Sequence, residues 1–171
     1  DDYGSNYGYF IKQSKDNQSF ILAGQIQATA ATFNTEAYLL KLDLNGGIIW
    51  ENQYSDFLPT NATQSQVFTN FVELANGDII ANGYTHTDND GTHGISQGGI
   101  GASEDHDIFM VKIQANGTSI NYFEAGDKNY QAALGCVEIP GTSDIFVSGT
   151  SGGTASGGVR YPYVSRMNTT L

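Results

Sequence analysis

Short runs of alternating apolar and polar residues recur along the chain, and most of them end in a cluster of Asn, Asp and Gly. Alternation with a period of two predicts β-strands, whereas no stretch of ten or more residues has a convincing helical period. The clearest stretch is residues 36–54, EAYLLKLDLNGGIIWENQY, in which Asn45-Gly46 separates two apolar runs. Both residues tolerate the positive φ of a tight turn, so the stretch predicts a hairpin. The pattern as a whole predicts an all-β fold.

The same pattern predicts eleven strands, at residues 9–13, 20–27, 37–42, 48–54, 71–74, 79–85, 107–114, 119–123, 134–139, 144–150 and 161–167. They form three repeat units with a period of about 60 residues, which cover residues 8–54, 67–124 and 131–171. The second strands align as FILAG, IIANG and IFVSG, and the third strands as YLLKL, FMVKI and YVSRM. A glycine closes each second strand (Gly24, Gly83 and Gly149), which predicts a close backbone approach or a bulge at that point.

Repeated units of four antiparallel strands predict a β-propeller-like array of blades, a single array over residues 1–171 with two full units and a third that lacks its fourth strand. Each blade has two apolar faces, which neighbouring blades must cover. The alternative is a β-sandwich in which the repeats are only similar hairpins. Propellers usually close with four or more blades, so we expect either a piece of a longer protein or closure by a partner, and we favour the piece.

Composition narrows the classes of partner. The formal net charge of −11 repels phosphate backbones and anionic lipids, so nucleic-acid binding is not expected. No apolar run approaches the length needed to span a bilayer, so no membrane insertion is expected. Cys136 is the only cysteine, which excludes an intrachain disulfide. We expect it to be a small buried side chain rather than a reactive thiol.

The repeat resembles those of secreted propeller proteins common in Bacteroidetes. The resemblance rests on FIKQSKDNQSFILAG followed by AYLLKLDLNGGIIWENQY, covers nearly the whole chain and is strongest in the first unit. It implies that Trp50 lies in the last strand of a blade. It also implies export of the kind carried out by the type IX secretion system, and hence a secreted or cell-surface location.

The connection between the second and third strands of unit two carries the most conspicuous chemistry. Carboxylates and an amide surround a tight turn, and further carboxylates follow at the far end of the connection. Such oxygen ligands suit calcium, so we predict a possible calcium site with the ligands Asp88, Asn89, Asp90, Glu104, Asp105 and Asp107. The alternative is a solvated acidic turn in which Asp and Asn bind their own backbone.

Two further residue types were considered as site residues. The histidines His86, His93 and His106 lie in or beside the same connection, but their spacing matches no known zinc pair, so we expect surface histidines. Six tyrosines are candidates for exposed rings that stack on sugars: Tyr3, Tyr7, Tyr9, Tyr122, Tyr130 and Tyr161. No residue is assigned to catalysis or to an organic cofactor.

These observations lead to one functional expectation and two alternatives. The expectation is a non-enzymatic extracellular or cell-surface scaffold or binding module, with protein or glycan partners and with calcium stiffening the long loop. The first alternative is the propeller of a polysaccharide-active hydrolase or lyase. The second is a self-assembling structural subunit, completed by strand exchange along an unpaired edge.

Overall fold

A computed structural model of the chain describes residues 6–29, 32–54, 65–86, 106–125, 130–152 and 159–170. Within these ranges it contains eleven strands and no helix, which confirms the all-β prediction. The strands are β1 (Tyr7–Gln13), β2 (Ser19–Thr29), β3 (Thr32–Asp43), β4 (Ile48–Tyr54), β5 (Ser65–Glu73), β6 (Ile79–His86), β7 (Asp107–Ile113), β8 (Ser119–Ala125), β9 (Gln131–Glu138), β10 (Asp144–Ser151) and β11 (Tyr161–Asn168). A helix able to cross a lipid bilayer is therefore absent from the described residues.

Consecutive strands pair antiparallel into three sheets. Sheet 1 has the order β1-β2-β3-β4, sheet 2 the order β5-β6-β7-β8, and sheet 3 the order β9-β10-β11. Among the described residues, sheets 1 and 2 have four strands each and sheet 3 has three. Three sheets with two cores between them do not fit the sandwich alternative, which has two sheets around one core.

The strands are antiparallel, so successive connections lie at opposite ends of the sheets, and the longest connections all fall at one end. Five tight turns join the strands at one end, which we call the turn end. In four of them a glycine holds the positive φ, for example Gly46 at +85° and Gly117 at +88°. In the β1–β2 turn Asn17 takes this role with a φ of 57°. The connections at residues 55–64, 87–105, 126–129 and 153–158 all leave from the opposite end, which we call the loop end.

The glycine that closes each second strand lies against a bulge in the first strand of the same sheet. The bulged residues are Tyr9, Thr69 and Leu134, where the pairing register shifts by one residue. A Cβ on Gly83 would lie 1.8 Å from the carbonyl oxygen of Val67, and the other two glycines meet a carbonyl at 2.0 Å. The predicted close backbone approach is therefore confirmed. The bulge lies in the neighbouring first strand, and each second strand continues beyond its glycine, to Thr29, His86 and Ser151.

Sheet 2 lies between the other two sheets and contributes to two cores. Along β7, Phe109 and Val111 face sheet 1 and pack with Leu39. The residue between them, Met110, faces sheet 3 and packs with Val147. All of these side chains are at most 1% exposed. Burial of each such side chain stabilises the fold by roughly 1.5–3 kcal/mol, so both faces of the middle sheet hold the stack together.

Polar contacts near the turn end fix the neighbouring sheets to each other. Trp50 in β4, the last strand of sheet 1, donates from Nε1 to the carbonyl oxygen of Ala115 at 3.2 Å. The Tyr54 hydroxyl donates to the carbonyl oxygen of Gly117 at 2.7 Å. On the other side of sheet 2, Lys112 Nζ donates to the Thr169 carbonyl at 2.8 Å. The outermost strand of sheet 1 therefore crosses the β7–β8 turn of sheet 2.

Candidate binding surface at the loop end

Buried polar residues lie at the strand ends next to the 87–105 connection, and we call this group (Thr85, Asp107 and Gln131) the foot of the connection. Thr85, near the end of β6, pairs with Asp107, the first residue of β7. Their side chains are 0% and 1% exposed, and Gln131 at the start of β9 is 7% exposed. The Gln131 amide donates to the His106 carbonyl at 2.6 Å. This backbone hydrogen bond joins sheets 2 and 3 directly below the loops.

A row of stacked side chains extends outward from this foot. The His106 ring stacks on Tyr84, with centroids 4.5 Å apart, and lies against Tyr130, with centroids 4.2 Å apart. The Arg160 guanidinium lies over the Tyr130 ring, 3.7 Å from its centroid. Contacts of this kind contribute about 0.5–1 kcal/mol when exposed and more when buried. The row, which we call the ring stack, connects β6 with the residues that directly precede β7, β9 and β11.

Of the six predicted calcium ligands, the structure describes Asp107. Asp88, Asn89, Asp90, Glu104 and Asp105 lie outside the described residues. Asp107 is buried at the base of the connection, where the chain returns into sheet 2. Among the described residues no group of three or more His, Cys, Asp or Glu side chains is arranged to hold a metal ion. The calcium site therefore stays a prediction.

Two expectations about aromatic site residues are corrected. His106 is 6% exposed and stacked between two tyrosines, so it is not a surface histidine. Tyr130 is not a free ring for sugar stacking, because both His106 and Arg160 pack against it. No sequence signal identified these contacts, since the residues come from three segments far apart in the chain. Of the other candidate tyrosines, Tyr3 lies outside the described residues, and Tyr7, Tyr9, Tyr122 and Tyr161 are exposed, at 50%, 47%, 39% and 63%.

A second concave surface runs along the first strands of the three sheets. It is a groove of about 320 Å³ that includes Phe10 and Lys12 of β1, Asn70 of β5 and Cys136 of β9. Burial raises the pKa of the Cys136 thiol to about 12, although Lys12 acts in the opposite direction. The thiol is therefore protonated at neutral pH. It behaves as the small, largely buried side chain that the sequence predicted.

The comparisons with known proteins do not assign the chain to a family. No protein-family model and no curated protein matches the chain. Among solved structures the chain is similar to a Clostridium novyi NT protein described provisionally as a conserved lipoprotein. The identity is 9% and the TM-score 0.49, over 95% of this chain and 87% of that one. A likeness at this level carries no argument about fold or function, and the resemblance to Bacteroidetes propeller repeats stays a prediction.

Proposed function

We propose that this chain is an extracellular or cell-surface binding module built from propeller blades, and that its loop end contacts protein or glycan partners. One observation carries the proposal. All the long connections leave one end of a well-packed stack of sheets, while the other end has only tight turns. A packed scaffold that gathers its variable connections at one end is the usual arrangement of a binding protein, because the loops change without disturbing the core.

The side chains at the loop end suit this role. The ring stack presents Arg160, which is exposed, on a tyrosine whose position is fixed from below. Aromatic and arginine side chains are the residue types that contribute most at binding surfaces. The strong negative charge of the chain favours neutral or cationic partners over anionic ones.

Calcium belongs to the same proposal. The predicted ligands Asp88, Asn89, Asp90, Glu104 and Asp105 lie in the connection that returns to sheet 2 at Asp107, next to the ring stack. Calcium bound between the outgoing and returning parts of this loop would order the surface that the partner contacts. Titration of the protein with CaCl₂ in a calorimeter tests this directly. We expect saturable binding that Asp90→Asn weakens at least about tenfold, whereas the charge-matched turn-end change Asp78→Asn leaves it unaltered.

The binding role is tested on an array of bacterial and host polysaccharides. We expect the wild-type protein to bind a defined subset, and Arg160→Ala to weaken that binding by about tenfold, as loss of a central arginine does. The control is Lys15→Ala, which removes the same charge at the turn end. Equal binding by Arg160→Ala and wild type would contradict the loop-end assignment. Shortening of the bound glycan would instead favour a polysaccharide-active hydrolase or lyase.

A further inference from the structure

Each end of the three-sheet stack carries an apolar face that no described residue covers. On the outer face of sheet 3, Val137, Phe146 and Val164 are 57%, 43% and 70% exposed. On the outer face of sheet 1, Ile11 is 56% exposed and lies opposite the half-buried Leu22. Large apolar patches on a soluble protein mark interaction surfaces.

The internal repeat shows how the equivalent face of sheet 2 is covered. In the repeat alignment Phe146 is equivalent to Ile80 of sheet 2, and Val164 is equivalent to Met110. Ile80 and Met110 are both 0% exposed, because sheet 3 packs on them. The outer face of sheet 3 is thus equivalent to the face of sheet 2 on which sheet 3 packs, but no described sheet packs on it.

The outer face of sheet 1 is the opposite half of the same interface. Leu22 and Leu40 face each other across β2 and β3 on this side. Their equivalents in sheet 2 are Ala81 and Val111, which are 0% exposed beneath sheet 1. The two outer faces of the stack are therefore the two complementary halves of the sheet-to-sheet contact that occurs twice within one chain.

We propose that the outer face of sheet 3 in one copy packs on the outer face of sheet 1 in a second copy, head to tail. The charged residues on the two faces have partners within their own sheets, since Arg166 pairs with Asp144 and Glu51 accepts from the Tyr38 hydroxyl. The pairing therefore rests on the exposed apolar residues and on the repeat. Contacts of this heterologous type build closed rings or open chains. The proposal concerns the flat faces and not the loop end, so its failure leaves the proposed binding role standing.

The test is the particle mass of the whole chain by light scattering over a range of concentrations. We expect the wild type to have a mass at least twice the 18.4 kDa of one chain. Val164→Glu and Ile11→Glu each place a charge on one exposed face, and each should weaken association at least about tenfold. Ile120→Glu makes the same change at an exposed position of sheet 2 outside both faces, and should associate like the wild type. Circular dichroism confirms that each variant is folded.

A mixture of the two face variants decides between head-to-tail and symmetric association. Val164→Glu keeps an intact sheet 1 face and Ile11→Glu keeps an intact sheet 3 face. The mixture should therefore form a one-to-one dimer, while each variant alone stays a monomer. Dimers of either variant alone would show that like faces pair, which overturns the proposal. A wild-type monomer at all concentrations would also overturn it, and would assign both faces to further blades of a longer protein.

Discussion

Gly24, Gly83 and Gly149 occupy one position in three sheets, and the reason is the space around their Cα atoms. Each lies where the bulge of the first strand brings a carbonyl oxygen to about 2 Å from the site of a Cβ. No side-chain rearrangement relieves such a contact, because the oxygen belongs to the backbone. The glycine and the bulge therefore depend on each other, and the repeat of one implies the repeat of the other.

Gly83→Ala tests this dependence in the middle sheet. The new methyl group would lie 1.8 Å from the Val67 carbonyl oxygen, so the backbone must move in the sheet that both cores share. We expect the free energy of unfolding to fall by about 3 kcal/mol or more. The control is Gly135→Ala, whose methyl group meets only the Ser148 hydroxyl at 3.1 Å. Urea denaturation measures both, and similar values for the two variants would contradict the account.

Asp16 in the β1–β2 turn gives a pH-dependent contribution to stability. The amide of Gln18 donates to its carboxylate, as does the Ser19 hydroxyl, and Lys41 lies 3.2 Å away. These contacts, the Gln18 amide first, lower the pKa of Asp16 from 3.8 to about 2. The folded protein thus binds the proton less readily than the unfolded chain does. The stabilisation is present above pH 3.8 and is lost as the pH falls towards 2.

Comparison of the wild type with Asp16→Asn isolates this effect from the other carboxyl groups. We expect the difference in unfolding free energy between the two proteins to decrease as the pH falls from above 3.8 towards 2. Denaturant unfolding at several pH values measures it. A difference that stays constant over this range would show that the carboxylate form of Asp16 contributes nothing to the turn.

At the scale of single strands, the sequence predicted all eleven, but it placed the first strand of each sheet too late. The predicted starts were residues 9, 71 and 134, whereas β1, β5 and β9 begin at Tyr7, Ser65 and Gln131. The bulges at Tyr9, Thr69 and Leu134 explain the error. An extra residue breaks the period-two alternation, so the apolar residues before it no longer match the pattern. β3 also begins five residues earlier than predicted, at Thr32 instead of residue 37, and the remaining strands were placed to within two residues.

Contacts between strands of different sheets were not predictable in the same way. Glu73 at the end of β5 is 7% exposed and accepts hydrogen bonds from the Ser14 hydroxyl at 2.8 Å and the Lys15 amide at 2.6 Å. The Lys15 ammonium in turn lies 2.6 Å from Glu138 of sheet 3. One turn of sheet 1 is thereby tied to both other sheets. Residues 58 or more positions apart give no local pattern from which such a clamp is inferred.

Glu73→Ala should destabilise the protein more than its single carboxylate suggests. The change leaves the buried Ser14 hydroxyl and the Lys15 amide without their acceptor, and hydrogen bonds to a charged group contribute about 1.5–3 kcal/mol each. We expect the unfolding free energy to fall by about 3–6 kcal/mol. The control Glu138→Ala removes a partly exposed ion pair and should cost at most about 1 kcal/mol. Equal losses in thermal or urea unfolding would show that Glu73 is not the clamp.

For the whole molecule, composition and repeats predicted an all-β chain of three units, and the packing of those units emerged only in the structure. Alternation shows that a strand has two apolar faces, yet it does not show which neighbour covers each face. The ring stack at the loop end was hidden for a similar reason. His106, Tyr130 and Arg160 meet only because the sheets bring the ends of distant segments together.

The central claim is that sheet 2 is covered on both faces while sheets 1 and 3 are each covered on one. Native-state hydrogen exchange followed by mass spectrometry at peptide resolution tests this most directly, since amides in the best-packed elements open least often. We expect the slowest exchange in β6 and β7, and faster exchange in β3 and β10. Equal protection of all four strands, or slower exchange in β3 than in β7, would contradict the stacked arrangement.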